Sequence, residues 1–164
     1  MKTYYCLTVD TSVAEKYGNR LRIRVCGLCW QENRLLMVNH HGLYGHDFWA
    51  PPGGGLEWGQ SVEATLVREF KEETDVSVTV GNLKFVCEFI LSPLHAIELF
   101  FDVSTPVGVV TTGTDPELHA QIIKEVRFLE ESEVLKLPHN HLHGVFKGLK
   151  RLEDIRQLGG YYRI

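Results

Sequence analysis

The stretch GGGLEWGQSVEATLVREFKEETDV, Gly53 to Val76, decides how this chain is read. Three consecutive glycines precede a run of helix formers from Ser61 to Thr74, in which Leu66, Val67 and Phe70 make an apolar stripe. On that helix Glu69, Glu72 and Glu73 share an arc of about 100°. Glu73 neighbours Leu66 and Phe70, so it is expected to be partly buried, and a buried carboxylate without a partner is costly. Arg68, four residues before Glu72, is expected to offset only one of the charges. A divalent cation that favours oxygen would offset the rest; magnesium takes a few carboxylates together with substrate phosphates. Glycine lets a backbone come close to a ligand, and a Gly-rich loop leading into a helix can offer N–H groups to an anion. An acidic helix alone is more often a solvated face. Beside the glycines it reads as a cradle for a metal-bound diphosphate.

Outward from this stretch, LRIRVCGLCW and RLLMVNH read as two strands of a hairpin, joined by the polar turn Gln31-Glu32-Asn33. HGLYGHDFWAPPGGG has no apolar period and reads as a loop. Further strands are expected at Val76 to Val80, Leu83 to Ile90, Ala96 to Val103 and Ile123 to Leu129, with a polar loop from Thr111 to His119. Glu131 to Leu137 suits a short helix. Leu142, Val145, Phe146, Leu149, Leu152 and Ile155 recur at helical spacing and predict a longer one over Leu142 to Leu158. Residues 1–20 read as an irregular arm with a short strand at Tyr4 to Val9. Strands and helices mix without strict alternation, which predicts an α/β (α+β) fold, a mixed sheet with helices on both faces. The whole of 1–164 reads as a single domain, with 142–164 as its C-terminal helix and tail.

The 164 residues are 44% hydrophobic and 23% charged, enough for a globular core without metal or disulfide staples. A net charge of −4 without a long basic run argues against a surface for nucleic acid. No apolar stretch is long enough to span a bilayer, and the first residues do not resemble a signal peptide. Four cysteines without such a signal read as reduced thiols of a cytoplasmic protein. Cys26 and Cys29 have redox or zinc-knuckle spacing, yet they lie in a strand-like run, where residues three apart face opposite sides. They read as core residues.

Gly54 to Val76 resembles the signature of the Nudix hydrolases, with Gly54, Arg68, Glu69, Glu72, Glu73 and Val76 in place and Phe70 at the first aliphatic position. The preceding WAPPGG and the flanking strands resemble that family too, over roughly residues 21 to 135. Two positions depart from its pattern: Gln60 stands where the box has its first Glu, and Asp75 where it has its last Gly. Gln60 removes a carboxylate that supports the metal site or its Arg, and Glu57 is positioned to compensate. Asp75 takes the place of a helix cap with left-handed backbone, which Asp tolerates.

The resemblance implies a Nudix-like α/β/α sandwich and the hydrolysis of a nucleoside diphosphate linked to another group, NDP-X, with Mg2+ or Mn2+. Glu69 and Glu73 would be the main metal ligands, assisted by Glu72 and the Gly53 carbonyl, with Arg68 orienting a box carboxylate. For the general base, Glu69, Glu117 and Glu125 remain open. Gly54, Gly55, Trp49, Phe48 and Tyr44 are candidates to line the substrate, although packing is the commoner fate of aromatic residues. Pro93 falls near a proline that the ADP-ribose-cleaving sub-group carries past its box. His139, His141 and His143, in HNHLH, read as polar loop and helix-start residues rather than a metal clamp; His40, His41 and His95 read as structural or substrate-lining. The expected partner is a small-molecule nucleotide, without nucleic acid or membrane, and a homodimer is left open. The alternative is a Nudix-like nucleotide sensor without catalysis.

Overall fold

The structure is a computed structural model and describes residues 11–41, 46–105, 113 and 123–164. Its strands are β1 (Leu21–Gln31), β2 (Arg34–His40), β3 (Phe48–Ala50), β4 (Gly53–Gly55), β5 (Thr79–Leu91), β6 (Leu94–Ser104), β7 (Ile123–Leu129) and β8 (Gly160–Arg163). The helices are α1 (Thr11–Tyr17), α2 (Val62–Thr74) and α3 (Glu131–Val134). The strands form one mixed sheet in the order β3-β2-β1-β6-β5-β8, with β4 on β1 and β7 on β2. β1 runs parallel to β6 from Leu21↔His95 to Cys29↔Val103, and β8 runs parallel to β5; the other pairs are antiparallel. The fold is mixed α+β, as the sequence predicts.

Two apolar clusters sandwich the sheet. One gathers Val25, Cys29, Leu36, Val38 and Val103 under Leu66 and Phe70 of α2. The other gathers Cys26, Leu28, Phe85, Cys87 and Phe100 under Val145, Phe146, Leu152 and Ile155. Cys26 and Cys29 thus face opposite sides, both as buried free thiols. Between them Gly27 leaves the notch into which Phe70 packs: a Cβ at Gly27 would lie 2.4 Å from the Phe70 ring.

α2 carries its own start and stop. The Ser61 side chain accepts from the Ala64 N–H, which satisfies one of the first-turn donors. Asp75 ends the helix in the left-handed conformation, with φ 56°. The hairpin turn between β1 and β2 likewise rests on a left-handed residue, Glu32, with φ 57°.

Several elements differ from expectation. The loop before α2 contains two short strands, because the glycines lie flat against β1: Gly53, Gly54 and Gly55 pair with Cys26, Val25 and Arg24. A Cβ on Gly53 would sit 2.1 Å from the Val25 carbonyl oxygen. β5 begins at Thr79 rather than Val76 and runs unbroken to Leu91, with register shifts near Leu83. The expected helix over Leu142 to Leu158 is instead a pair of 3-10 turns, Gly144–Phe146 and Leu152–Gln157, followed by β8. Glycine costs most in a helix interior, and here Gly144 opens one turn while Gly148 takes φ 81° between the two. The expected irregular arm holds α1, while Tyr4 to Val9 lies outside the described residues.

Candidate active site

β4, α2, β1 and β6 converge on a cleft with a cavity volume of about 170 Å³. Its lining includes Gly53, Gly54, Glu69, Glu73 and His40, the polar group Arg24, Glu98 and His143, and the apolar Tyr17, Phe89 and Leu94. The expected burial of Glu73 is exceeded: Glu73 is 4% exposed and Glu69 6%.

Glu69, Glu72 and Glu73 of α2 are each held. The Gly53 N–H donates to Glu73 Oε2 at 2.9 Å, and His40 Nε2 lies 3.3 Å from Glu73 Oε1. Glu73 is also gripped through its backbone, where its carbonyl accepts from the Gly113 N–H at 2.8 Å. Arg68 reaches both Glu69 and Glu72, each at 2.8 Å. Its planar fork serves two carboxylates at once, although its single positive charge still balances only one of them. Partial burial alone would lower the Arg68 pKa, but Glu69 and Glu72, with Glu57 farther away, raise it. Gln60 donates to Glu57 at 2.6 Å and accepts from Thr65 at 3.1 Å, so it ties a neighbouring carboxylate to the helix start.

Gly54 lies directly against Glu69 of α2. A Cβ there would stand 2.1 Å from Glu69 Oε1. The Gly53 amide is spent on Glu73 and not free for an anion. Of the aromatic candidates, Phe48 lines the cleft. Trp49, expected against substrate, sits instead in the core, 5% exposed, because successive residues of β3 face opposite sides. Gly55 borders Arg22. Tyr44 and Glu117 lie outside the described residues. Glu125 is paired with Arg127 at 2.9 Å.

A second buried polar group lies beside the box. Arg24 ion-pairs with Glu98 at 3.2 Å, and His143 Nε2 lies 2.9 Å from the other Glu98 oxygen. Burial alone would raise the Glu98 pKa, but His143 and Arg24 outweigh it and hold the carboxyl at about 2. His141 stacks on His46 at 4.3 Å, so the HNHLH histidines do not converge on one point. Arg24 and Glu98 escaped the sequence reading as site residues, and that reading has His143 only as a polar loop and helix-start residue; His40, expected to be structural or substrate-lining, does line the cleft. The alternation in LRIRV was the available signal: Leu21 and Ile23 are exposed while Arg22 and Arg24 turn toward the cleft.

Among the described residues, no three His, Cys, Asp or Glu side chains already form a metal cage. Magnesium rarely uses such a cage; it takes one or two carboxylates plus substrate oxygens. The donors of α2 are oxygen only. Glu73 has about four lone-pair sites, of which Gly53 and His40 take two. The residues present fit a hard divalent cation.

A NUDIX domain model matches residues 19–148. The ADP-ribose pyrophosphatase of Methanocaldococcus jannaschii is 29% identical over 124 residues, 73% of this chain and 68% of that protein. Among solved structures, a NUDIX hydrolase from Nitrosomonas europaea superposes with a TM-score of 0.67 at 19% identity, covering 87% of this chain and 78% of its own. A UDP-X diphosphatase gives 0.63 at 22%, covering 94% and 76%. The chain belongs to the NUDIX family and is a Nudix-type pyrophosphohydrolase. Nudix hydrolases act on small nucleotide substrates, and among the described residues no helix is long and apolar enough to cross a membrane.

Proposed function

We propose that this chain cleaves the diphosphate linkage of an NDP-X substrate, with ADP-ribose the first to test. The observation that carries this reading is the pair Glu69 and Glu73, buried side by side at the cleft floor against Gly53 and Gly54. Glu69 and Glu73 would hold Mg2+ or Mn2+, with Glu72 and the Gly53 carbonyl assisting. When bound, such a cation neutralises phosphate charge and makes water a better nucleophile.

Arg68 fixes the rotamers of Glu69 and Glu72, and His40 and Gly53 fix that of Glu73, so the donors need no rearrangement. Gly54, having no side chain, leaves the space that the Glu69 carboxylate itself occupies. Glu69 and Glu117 are the carboxylates proposed to take the proton of the attacking water, with Glu125, engaged by Arg127, the weaker alternative. Phe48 lines the substrate; Tyr44 and Gly55 retain that role as proposals. The ADP-ribose choice rests on the name of the Methanocaldococcus jannaschii relative and on Pro93, at the tip between β5 and β6.

The acidic balance and the three buried free thiols favour a cytoplasmic enzyme for small nucleotides over a nucleic-acid binder. Sedimentation decides whether it is a homodimer. The functional test is a panel of ADP-ribose, nucleotide sugars and nucleoside triphosphates, with and without magnesium, read as nucleoside monophosphate released, separated by chromatography. Magnesium-dependent release from ADP-ribose above the other members is expected. Full activity in chelator would overturn the metal assignment, and a preference for triphosphates would overturn the substrate. Nucleotide binding without release from any member would favour a non-catalytic sensor.

A further inference from the structure

The Arg24–Glu98–His143 group is built as a chain of contacts that ends on the glycine strand. The Val145 N–H donates to His143 Nδ1 at 3.3 Å. That leaves the ring proton on Nε2, which donates to Glu98 Oε2 at 2.9 Å. Glu98 Oε1 holds Arg24 Nε at 3.2 Å, and Arg24 Nη2 donates to the Gly53 carbonyl at 3.2 Å. A guanidinium has five N–H groups, so these contacts leave further donors on a side chain that is 27% exposed and lines the cleft.

The same peptide residue is therefore bracketed. Gly53 gives its N–H to Glu73 on one side and its carbonyl to Arg24 on the other. Of the other cations near the cleft, Arg68 is committed to Glu69 and Glu72 and Arg22 lies over the Tyr17 ring at 3.8 Å, while Lys147 lines the cleft from the C-terminal segment, without Arg24's contact to Gly53. Taking a charge out of water is costly unless it is paired. Glu98 supplies that pairing while the cleft is empty of substrate, and it fixes the fork in place from behind.

We propose that Arg24 is a substrate-binding residue that receives the diphosphate, with Glu98 and His143 as the positioning residues that aim it. The proposal rests on the reading of the cleft as a diphosphate site. It accounts for a half-buried His in HNHLH and for two inward arginines, Arg22 and Arg24, in an otherwise apolar strand. A phosphate oxygen would meet Arg24 on one side of Gly53 while Glu69 and Glu73 serve the other. Arginine suits the task because its planar fork matches phosphate oxygens in pairs.

The test is calorimetric binding of methylenediphosphonate, a non-hydrolysable diphosphate, to the full chain in the presence of magnesium. A separate titration with Mn2+ alone is followed by its electron-spin signal. Arg24→Met is expected to weaken diphosphonate binding by about tenfold or more, the range of a lost charged hydrogen bond, and to change Mn2+ binding by less than about twofold. Arg24→Lys should recover part of the affinity, and His143→Gln more than His143→Ala. Should Arg24→Met misfold with Glu98 left unpaired, the double variant Arg24→Met, Glu98→Met removes both charges and should bind as weakly.

Wild-type binding by Arg24→Met or the double variant would overturn the proposal. So would an equal loss of Mn2+ affinity, which would assign Arg24 to the carboxylates instead, or absence of diphosphonate binding by the wild type. A wild type that binds diphosphonate through Arg24 yet releases nothing from the nucleotide panel would refute the proposed substrates and leave Arg24 standing.

Discussion

The backbone of Gly53 and the carboxylate of Glu73 are joined by a 2.9 Å hydrogen bond, so the glycine strand and the acidic helix form one unit. His40 approaches the same carboxylate from the other side. This arrangement makes Glu73→Gln an informative change. The amide oxygen can still accept from Gly53, and the amide nitrogen can donate to His40 once the ring proton moves to Nδ1. Stability should fall by about 1–3 kcal/mol, because the proton moved to Nδ1 sits buried without a partner. Turnover should fall by more than about tenfold, or about 1.4 kcal/mol of barrier. Urea melts and steady-state rates check both; an unchanged rate would remove Glu73 from the site.

The three glycines differ in what they tolerate. A methyl at Gly54 would collide with Glu69 Oε1 at 2.1 Å, whereas at Gly55 the nearest atom is Arg22 Nη2 at an ordinary 3.5 Å. Gly54→Ala should therefore displace Glu69 and lower turnover by about tenfold or more, the scale seen when catalytic groups shift by an ångström. Gly55→Ala should remain near wild type. Equal effects of the two substitutions would contradict this placement of Glu69.

Gln60 is better suited to its neighbours than the family's Glu would be. Its amide donates to Glu57 at 2.6 Å, and a carboxylate at 60 would face Glu57 instead. Gln60→Glu should cost a few tenths of a kcal/mol, the usual scale of exposed like-charge pairs. Adding Glu57→Gln should restore the loss, because the pair is then the same one reversed. Thermal melts of the single and double variants measure it.

Much of this was legible beforehand, and the exceptions have a common origin. Gly54, Arg68, Glu69 and Glu73 sit in one continuous loop-and-helix segment, where spacing together with the resemblance to the Nudix signature points to them as a group. Arg24, Glu98 and His143 come from β1, β6 and a 3-10 turn; their meeting depends on the parallel register Arg24↔Glu98, which no local pattern encodes. The C-terminal segment misled for the opposite reason. Its apolar spacing satisfies a helix, but two 3-10 turns, with Gly148 at φ 81° between them, bury Val145, Phe146, Leu152 and Ile155. Trp49 was open to a substrate role until β3 gave it a side to face.

Acid should expose the worth of the second polar group. Glu98 is held at about 2 in the folded chain against an ordinary value of 4.5. Its ionised form therefore adds stability that is present above about 4.5 and is lost as pH falls through about 2. The shift corresponds to about 3 kcal/mol at most. Urea midpoints of wild type and Glu98→Gln should differ at neutral pH and converge as acidity approaches that lower value. A gap that stays constant with pH would show that Glu98 gains nothing from Arg24 and His143.

Gly27 and Phe70 act as a depth stop. The ring enters the notch that the missing side chain leaves in β1, and this sets how close α2 can come to the sheet. Glu69 and Glu73 ride on the turns adjoining Phe70, so their standoff from the glycine strand follows from that one fit. The gap between Cys26 and Cys29, whose spacing suggested a redox pair, is thus reserved for an aromatic ring. Any residue larger than glycine at 27 would act as a shim under the helix, lifting both carboxylates away from Gly53 and Gly54 without touching either.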